Sequence, residues 1–189
     1  RQDYIHIDIM DGHYVPNITF GPNIVKSLRK VTSKILDVHL MIKPVKQYIK
    51  EFIDSGSDII TFHPEADDNP EEIIKMISDA EIKAGIAIHP EVNIADIDHL
   101  FSKVQQIIVM TVTPGFGGQK FMHDQVQKIK DLDEIRKNNS YNYEIAVDGG
   151  VNNENAIICK DNGANVLAVG SYLLSQNQNN YNEIINSLR

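Results

Sequence analysis

Two histidines and two aspartates occupy positions at which they could bind one metal ion together. His6 and Asp8 alternate with isoleucines in a short apolar run, and His39 lies in a second run of the same kind. Asp148 directly follows a later run and precedes a pair of glycines. Imidazole nitrogens and carboxylate oxygens together suit a divalent metal ion such as Zn, Fe, Mn or Co. The alternative for each histidine is a buried core residue with satisfied hydrogen bonds.

The first apolar run, residues 4–10, predicts a β-strand with two different faces. Side chains alternate across a strand, so His6, Asp8 and Met10 share one face and the isoleucines share the other. A solvent-facing strand edge would also carry polar residues. The density of isoleucine and the recurrence of the pattern favour a buried strand whose polar face carries chemistry.

The elements that must position these residues alternate regularly along the chain. Short runs rich in Ile and Val cover residues 4–10, 35–41, 58–62, 84–88, 106–112, 143–147 and 165–169. Helical patterns lie between them, one over residues 45–53 before Gly56, one that begins at Asn69-Pro70, and one over residues 181–188. Strands that alternate with helices predict βαβ units and a parallel sheet.

The number of these units favours an α/β fold of the (β/α)8 TIM-barrel type. Such a barrel has eight strands, and the chain supplies seven candidate runs. We therefore expect the first β-strand and helix to precede Arg1, in roughly 25–30 further residues. No linker or change of composition divides the chain, so residues 1–189 are expected to form a single, N-terminally incomplete barrel domain.

The loops after the later runs are rich in glycine. In a parallel barrel, functional groups lie at the carboxyl ends of the strands and in the loops that follow, and the last loops often bind phosphate. Glycines at 115, 117 and 118, at 149 and 150, and at 170 before Ser171 would expose backbone N–H groups to such an anion. One glycine pair alone usually marks only a turn, but three in successive loops favour a phosphate site.

Other residues at the strand ends have a structural and a functional interpretation. Met10, Met41 and Met110 could be core filler, or they could form an apolar wall that keeps water from a reactive intermediate. His63 and His89 each precede a proline, and we assign them to loops or to positions behind the metal ligands.

Composition excludes several classes of partner. A formal net charge of -8 without a basic cluster argues against nucleic-acid binding. The longest apolar runs are strand-sized, so no membrane-spanning segment is expected.

The only cysteine, Cys159, lies beside Ala156, Ile157 and Ile158, which predicts a buried helix face. A single thiol also fits a reducing, cytoplasmic location.

Five segments of the sequence resemble the ribulose-phosphate 3-epimerase family. They are residues 6–17, 37–41, 110–119, 147–151 and 169–171, which include HIDIMDGHYVPN, DVHLM, MTVTPGFGGQ, VDGGV and VGS. The segments follow the order of the family over essentially the whole chain. The resemblance implies a (β/α) barrel that interconverts D-ribulose 5-phosphate and D-xylulose 5-phosphate, a reaction of the pentose phosphate pathway, at carbon 3.

The resemblance also implies roles for individual residues. The metal ligands would be His6, Asp8, His39 and Asp148, which would bind one divalent ion. Asp8 and Asp148 would be the catalytic pair, which moves protons on opposite faces of carbon 3 through an enediolate. The substrate-binding residues would be His39, Gly115, Phe116, Gly117, Gly118, Asp148, Gly149, Gly150, Gly170 and Ser171. The family also implies a homo-oligomer, and a serine on the strand expected before Arg1.

Two other functions remain open from the sequence. An epimerase for a six-carbon substrate such as allulose 6-phosphate shares the first segment, although the glycine-rich segments favour the five-carbon sugar. A phosphate-binding barrel without catalysis would follow if the first strand were absent.

Overall fold

The structure is a computed structural model that describes residues 3–67 and 69–188. These residues form a sheet of seven strands in which each strand lies beside the next in the chain, and every neighbouring pair is parallel. The strands are β1 (Tyr4–Met10), β2 (Ile35–Met41), β3 (Ile59–Phe62), β4 (Lys83–Ile88), β5 (Gln106–Met110), β6 (Glu144–Asp148) and β7 (Val166–Ala168).

Helices connect the strands and cover the outside of the sheet. They are α1 (Pro22–Arg29), α2 (Ile49–Asp54), α3 (Pro70–Asp79), α4 (Ile94–Ile97), α5 (Val126–Asn139), α6 (Asn153–Asp161), α7 (Ser171–Leu174) and α8 (Tyr181–Ser187). Short 3-10 turns cover Lys46–Tyr48, Pro64–Ala66, Asp98–Lys103, His123–Gln125 and Gln178–Asn180. None of the helices found in the described ranges is long and apolar enough to cross a membrane.

The predicted start of α3 is confirmed in detail. The Asn69 side chain accepts a hydrogen bond from the backbone N–H of Glu72, and Pro70 takes the first helical position. The helix predicted over residues 45–53 instead begins with the 3-10 turn at Lys46 and becomes α-helical at Ile49. The start of α3 follows from local chemistry, because the free N–H groups at a helix start need acceptors.

The seven predicted strands are all present, and the bounds of several differ. The largest difference is at β5, which ends at Met110 and not at residue 112. The Thr111 side chain donates to the carbonyl oxygen of Gly149 over 2.6 Å, and this bond belongs to the turn after the strand. The strand β6 extends to Asp148, which places that carboxylate at the last position of the strand.

The sheet curves into a nearly closed TIM barrel, and its two larger clusters of buried apolar residues lie outside and inside the barrel. The larger core lies between the sheet and the helices and includes Ile7, Leu36 and Phe52. A smaller core inside the barrel consists of Ala87, Ile108, Met110, Val112 and Ala146. In the described ranges the sheet has β1 at one edge and β7 at the other, and the Tyr4 hydroxyl donates to a carboxylate oxygen of Glu144 on β6 over 3.0 Å.

The prediction of a buried face on α6 is confirmed for two residues and wrong for two. Cys159 and Ala156 lie in the outer core. Ile157 and Ile158 are 55% and 38% exposed. A helix advances about 100° per residue, so residues three apart share a face while the two between them point elsewhere.

The barrel interior offers a direct test of packing at Gly85. A Cβ atom added there would overlap Thr61 Oγ1 and would lie 3.3 Å from the backbone oxygen of Gln106. We expect Gly85→Ala to lower the free energy of unfolding by about 1–3 kcal/mol, as overpacked cores do. Urea denaturation measures the change. Adding Thr61→Ala removes the overlapping atom, so the double variant should lose less stability than the sum of the two single variants. Strict additivity would contradict this packing.

Candidate active site

The parallel register of β1 and β2 assembles the polar residues of the two strands. His6 pairs with Asp37, Asp8 with His39, and Met10 with Met41. Because paired residues of neighbouring strands point to the same face, these side chains all enter the barrel. Asp148, at the end of β6, reaches the same place from the other side of the opening.

The four residues predicted as metal ligands come together. One potential ligand atom from each of His6, Asp8, His39 and Asp148 lies within 4.8 Å of all the others. Asp8 Oδ1 is 3.2 Å from His39 Nδ1 and 3.4 Å from His6 Nε2. Asp148 Oδ2 is 3.5 Å and 3.7 Å from the same two nitrogens.

This donor set fits a divalent cation. Two imidazole nitrogens and two carboxylate oxygens are the ligands that Zn, Fe, Mn and Co accept. The Nε2 atom of His6 faces the centre of the group, is buried, and has no hydrogen-bond partner. An unpaired buried polar atom is costly, and coordination to a cation would satisfy it.

A buried carboxylate holds His6 from behind. His6 Nδ1 lies 2.8 Å from Asp37 Oδ2, and the Asp37 side chain is almost fully buried. The Gln106 side-chain amide donates to the other oxygen, Asp37 Oδ1, over 2.9 Å. A carboxylate behind a histidine ligand is a common arrangement in metal sites, because it fixes the ring and its proton.

Another histidine lies behind His39. The Nε2 atoms of His39 and His63 are 3.0 Å apart, and both rings are fully buried. His63 Nδ1 lies 3.3 Å from Glu65 Oε1, which accepts a hydrogen bond of 2.8 Å from the Tyr14 hydroxyl. His63 thus lies behind a predicted ligand, whereas the His89 Nδ1 atom accepts from the backbone N–H of Glu91 in its own loop.

The charges in the site are strongly coupled. Burial alone lowers the pKa of His6, but the Asp37 charge and the contacts of the ring with the carboxylates of Asp148, Asp37 and Asp8 raise that pKa well above its usual value. Burial likewise lowers the pKa of His39, and its contacts with Asp148 and Asp8 raise it overall. Burial raises the pKa of Asp8 and of Asp148, and their contacts with His39 and His6 lower both overall. Burial lowers the pKa of His63 to about 4, so this ring is neutral at neutral pH.

The glycine-rich loops line the same cavity, whose volume is about 1170 Å³. Gly150 has a φ of +64°, and a Cβ there would lie 2.8 Å from the backbone oxygen of Gln119, so the close approach of the two loops needs glycine. A Cβ on Gly117 would be 3.1 Å from the Ser171 hydroxyl oxygen. Residues 115–119, 148–150 and 170–171 therefore surround one space, and the exposed ring of Phe116 borders it.

Side-chain amides hold the loop of residues 113–119 in place. Gln119 donates to the backbone oxygens of Thr113 and Phe116 over 2.7 Å and 2.8 Å. Asn17, from the loop after β1, donates to the backbone oxygen of Gly115 over 2.7 Å. These bonds fix the loop at the edge of the cavity, next to the end of β1.

The three methionines also line the cavity, in two places. Met10 and Met41 pack with Val15 in one cluster. Met110 packs in the inner core with Ile108 and Ala146. They line the cavity from two separate clusters and do not form one continuous wall.

Sequence analysis alone did not assign roles to Asp37, Gln106, Asn17 and Glu65. One signal was available for Asp37, which precedes His39 by two residues and must share its face of β2. A carboxylate inside an apolar strand needs a partner, and His6 is that partner. Glu65 also had a local signal, because it follows His63 by two residues and lies 3.3 Å from its Nδ1. Gln106 and Asn17 act through contacts between distant segments, which no local pattern in the sequence marks.

Comparisons with known proteins identify related sequences. The model of the "Ribulose-phosphate 3 epimerase family" matches residues 1–174. A protein of Bacillus subtilis named ribulose-phosphate 3-epimerase is 44% identical over 175 residues, which are 92% of this chain and 81% of that protein. A protein of Escherichia coli with the same name is 36% identical over 189 residues, which are 99% of this chain and 83% of that protein.

Solved structures share the fold at much lower sequence identity. KGPDC from Streptococcus mutans matches with a TM-score of 0.70 at 13% identity, and the match covers 99% of this chain and 95% of that one. A variant of the tryptophan synthase α-subunit from Pyrococcus furiosus matches with a TM-score of 0.71 at 14% identity, covering 98% and 84%. These similarities support the barrel fold alone.

The donor set predicts stabilisation by divalent metal ions. A ligand that binds only the folded state adds about 2.7 kcal/mol at a concentration of one hundred times its Kd. We expect Co²⁺ or Zn²⁺ to raise the Tm of the chelator-treated protein, and Co²⁺ to produce visible absorption bands. His6→Ala should abolish both effects, while His89→Ala should keep them. An equal rise of Tm in the His6→Ala protein would place the bound ion elsewhere.

Proposed function

The chain belongs to the ribulose-phosphate 3-epimerase family, and we propose that it interconverts D-ribulose 5-phosphate and D-xylulose 5-phosphate by inverting carbon 3. One observation carries the proposal: Asp8 and Asp148 come from β1 and β6 and meet at a group of histidine donors. The relatives named ribulose-phosphate 3-epimerase match over nearly the whole chain, so an epimerase activity agrees with both sequence and site. In a cell the reaction would serve the pentose phosphate pathway.

Inversion next to a carbonyl needs two proton-transfer groups. One group removes the proton from carbon 3, and a second group delivers a proton to the opposite face of the resulting enediolate. In our proposal Asp8 accepts the proton from carbon 3 of ribulose 5-phosphate, and Asp148 donates a proton to the opposite face of that carbon. In the reverse direction the two residues exchange roles. Asp8 and Asp148 are both partly exposed to the cavity, with 39% and 17% of their side chains accessible, so substrate can reach them.

The residues around the pair would hold the cation that such chemistry uses. His6, Asp8, His39 and Asp148 are the ligands in our proposal, and the bound ion would act as a Lewis acid toward the negative charge that develops on substrate oxygens. His39 would also contact the substrate. The identity of the metal depends on availability as well as on the ligands.

The glycine-rich loops would bind the phosphate group. Residues 115–118, 149–150, 170 and 171 line the cavity, and in our proposal their backbone N–H groups and the Ser171 hydroxyl donate to the phosphate oxygens. Neutral donors of this kind bind phosphate without a lysine or arginine. The phosphate would thereby hold the sugar with carbon 3 between the aspartates, and positioning of this kind accelerates the reaction.

The methionines would limit the access of water. Met10, Met41 and Met110 present thioether side chains to the cavity near the aspartates. An apolar border lowers the local dielectric constant and strengthens the interaction of the enediolate with nearby positive charge. We propose a cytoplasmic enzyme that works as a homo-oligomer, as the family resemblance implies.

We expect substitutions of Asp8 and Asp148 to have opposite effects on isotope exchange at carbon 3. With saturating cation in D₂O, Asp8→Asn should not exchange the carbon 3 proton of ribulose 5-phosphate. Asp148→Asn should still exchange it, because Asp8 remains, but should lose epimerisation by about 10²–10⁴-fold. Proton NMR of the sugar measures both quantities. Near-normal exchange in the Asp8→Asn protein would exclude Asp8 as the base.

Substrate size provides a second test. We expect a higher kcat/KM for ribulose 5-phosphate than for allulose 6-phosphate in parallel assays of the same preparation. The reverse order would assign the protein to the six-carbon substrate, and metal-dependent binding without turnover of either sugar would indicate a phosphate-binding barrel without catalysis.

A further inference from the structure

We propose that Asp37 and His63 are positioning residues that hold the two histidines of the cation site in opposite tautomers. Asp37 would keep the proton of His6 on Nδ1 and leave Nε2 free to bind the cation. His63 would keep the proton of His39 on Nε2 and leave Nδ1 free to bind it. This inference rests on the cation site of the proposed function, and it adds two residues that do not themselves touch the cation or the substrate.

The tautomer of His6 follows from the chemistry of Asp37. An ionised carboxylate only accepts hydrogen bonds, so the His6 nitrogen at 2.8 Å from Asp37 Oδ2 must carry the proton. Gln106 donates to the second oxygen of Asp37 and prevents the carboxylate from turning away. The remaining nitrogen of His6 is the buried Nε2 atom that lacks a partner and faces Asp8 and Asp148.

The tautomer of His39 follows from where its two nitrogens point. Nδ1 lies 3.2 Å from Asp8 Oδ1 and 3.5 Å from Asp148 Oδ2, so this nitrogen faces the cation site. Nε2 points away and lies 3.0 Å from His63 Nε2. His39 can therefore bind a cation only through Nδ1, and its proton must then lie on Nε2.

His63 is placed to accept that proton. Two imidazole nitrogens 3.0 Å apart can share only one proton, so His63 Nε2 must be the acceptor when His39 Nε2 is the donor. The proton of His63 then lies on Nδ1, which is 3.3 Å from Glu65 Oε1. The Tyr14 hydroxyl donates to the same oxygen, and the Tyr14 ring packs against the His63 ring with centroids 5.0 Å apart.

Substitutions of Asp37 and His63 by side chains of similar size should change the tautomers of His6 and His39 without creating a cavity. In Asp37→Asn, the bond from Gln106 would draw the amide oxygen to its side and turn the NH₂ group toward His6. His6 would then accept at Nδ1 and carry its proton on Nε2, which blocks cation binding. His63→Phe keeps a ring of similar size against Tyr14 but removes the acceptor for His39.

The test uses Zn²⁺ binding and does not depend on turnover. We expect Asp37→Asn and His63→Phe to raise the Kd for Zn²⁺, measured by competition with a chromogenic chelator, by about 10–100-fold. His89→Phe is the matched control, because the His89 ring is 6.5 Å from His63 and is not among the four cation ligands. Circular dichroism and urea unfolding of the metal-free variants establish that each one is folded.

NMR of the wild-type protein tests the same inference without a variant. Long-range ¹H–¹⁵N spectra of the Zn²⁺-loaded protein should show His6 bound through Nε2 and His39 through Nδ1, with the proton of His63 on Nδ1. A His63 proton on Nε2, or variant Kd values within twofold of wild type, would overturn the positioning roles. If the positioning roles fail but the wild-type protein still binds Zn²⁺ and epimerises its substrate, the proposed function stands. Wild-type protein that binds no Zn²⁺ would overturn the cation site and the positioning roles together.

Discussion

Polar groups buried inside the barrel must find partners, and this requirement governs the candidate site. Asp37 is almost fully buried, and its carboxylate accepts a hydrogen bond from Gln106 and lies 2.8 Å from His6 Nδ1. His63 satisfies the far nitrogen of His39 in the same way. Among the four residues predicted to bind a cation, His6 has a buried ring nitrogen, Nε2, that lacks a hydrogen-bond partner and faces the carboxylates of Asp8 and Asp148. The site is thus prepared for a positive charge by the surroundings of its residues.

The packing of apolar side chains fixes the positions of the polar side chains inside the barrel. The outer core packs the isoleucine face of β1 and the buried residues of β2 against helices, so the opposite faces of these strands have fixed positions. Donors and acceptors on rigid strands keep their geometry better than those on loops. The glycine-rich loops complete the border of the cavity, and the side-chain amides of Asn17 and Gln119 hold the loop of residues 113–119 in place.

Most of the fold could be predicted from the sequence because its signals are local. Strand alternation, helix periodicity and the cap at Asn69 each involve residues within a few positions of one another. Two predictions were wrong in detail: β5 ends at Met110, directly before the turn in which the Thr111 hydroxyl donates to Gly149, and α6 turns Ile157 and Ile158 outward because successive helical residues do not share one face. The metal-ligating and phosphate-binding roles remain proposals, although the residues predicted for them do line one cavity.

Local patterns in the amino-acid sequence were enough to predict which side chains meet in one group and which face of each strand holds them. The partners behind those side chains depended on the folded barrel. His39 and His63 are 24 residues apart in the chain, and Asp37 and Gln106 are 69 apart. Contacts over such separations depend on the register between strands, which is set by the packing of the whole sheet. The contacts on which the proposed tautomers of His6 and His39 rest are therefore a property of the tertiary structure.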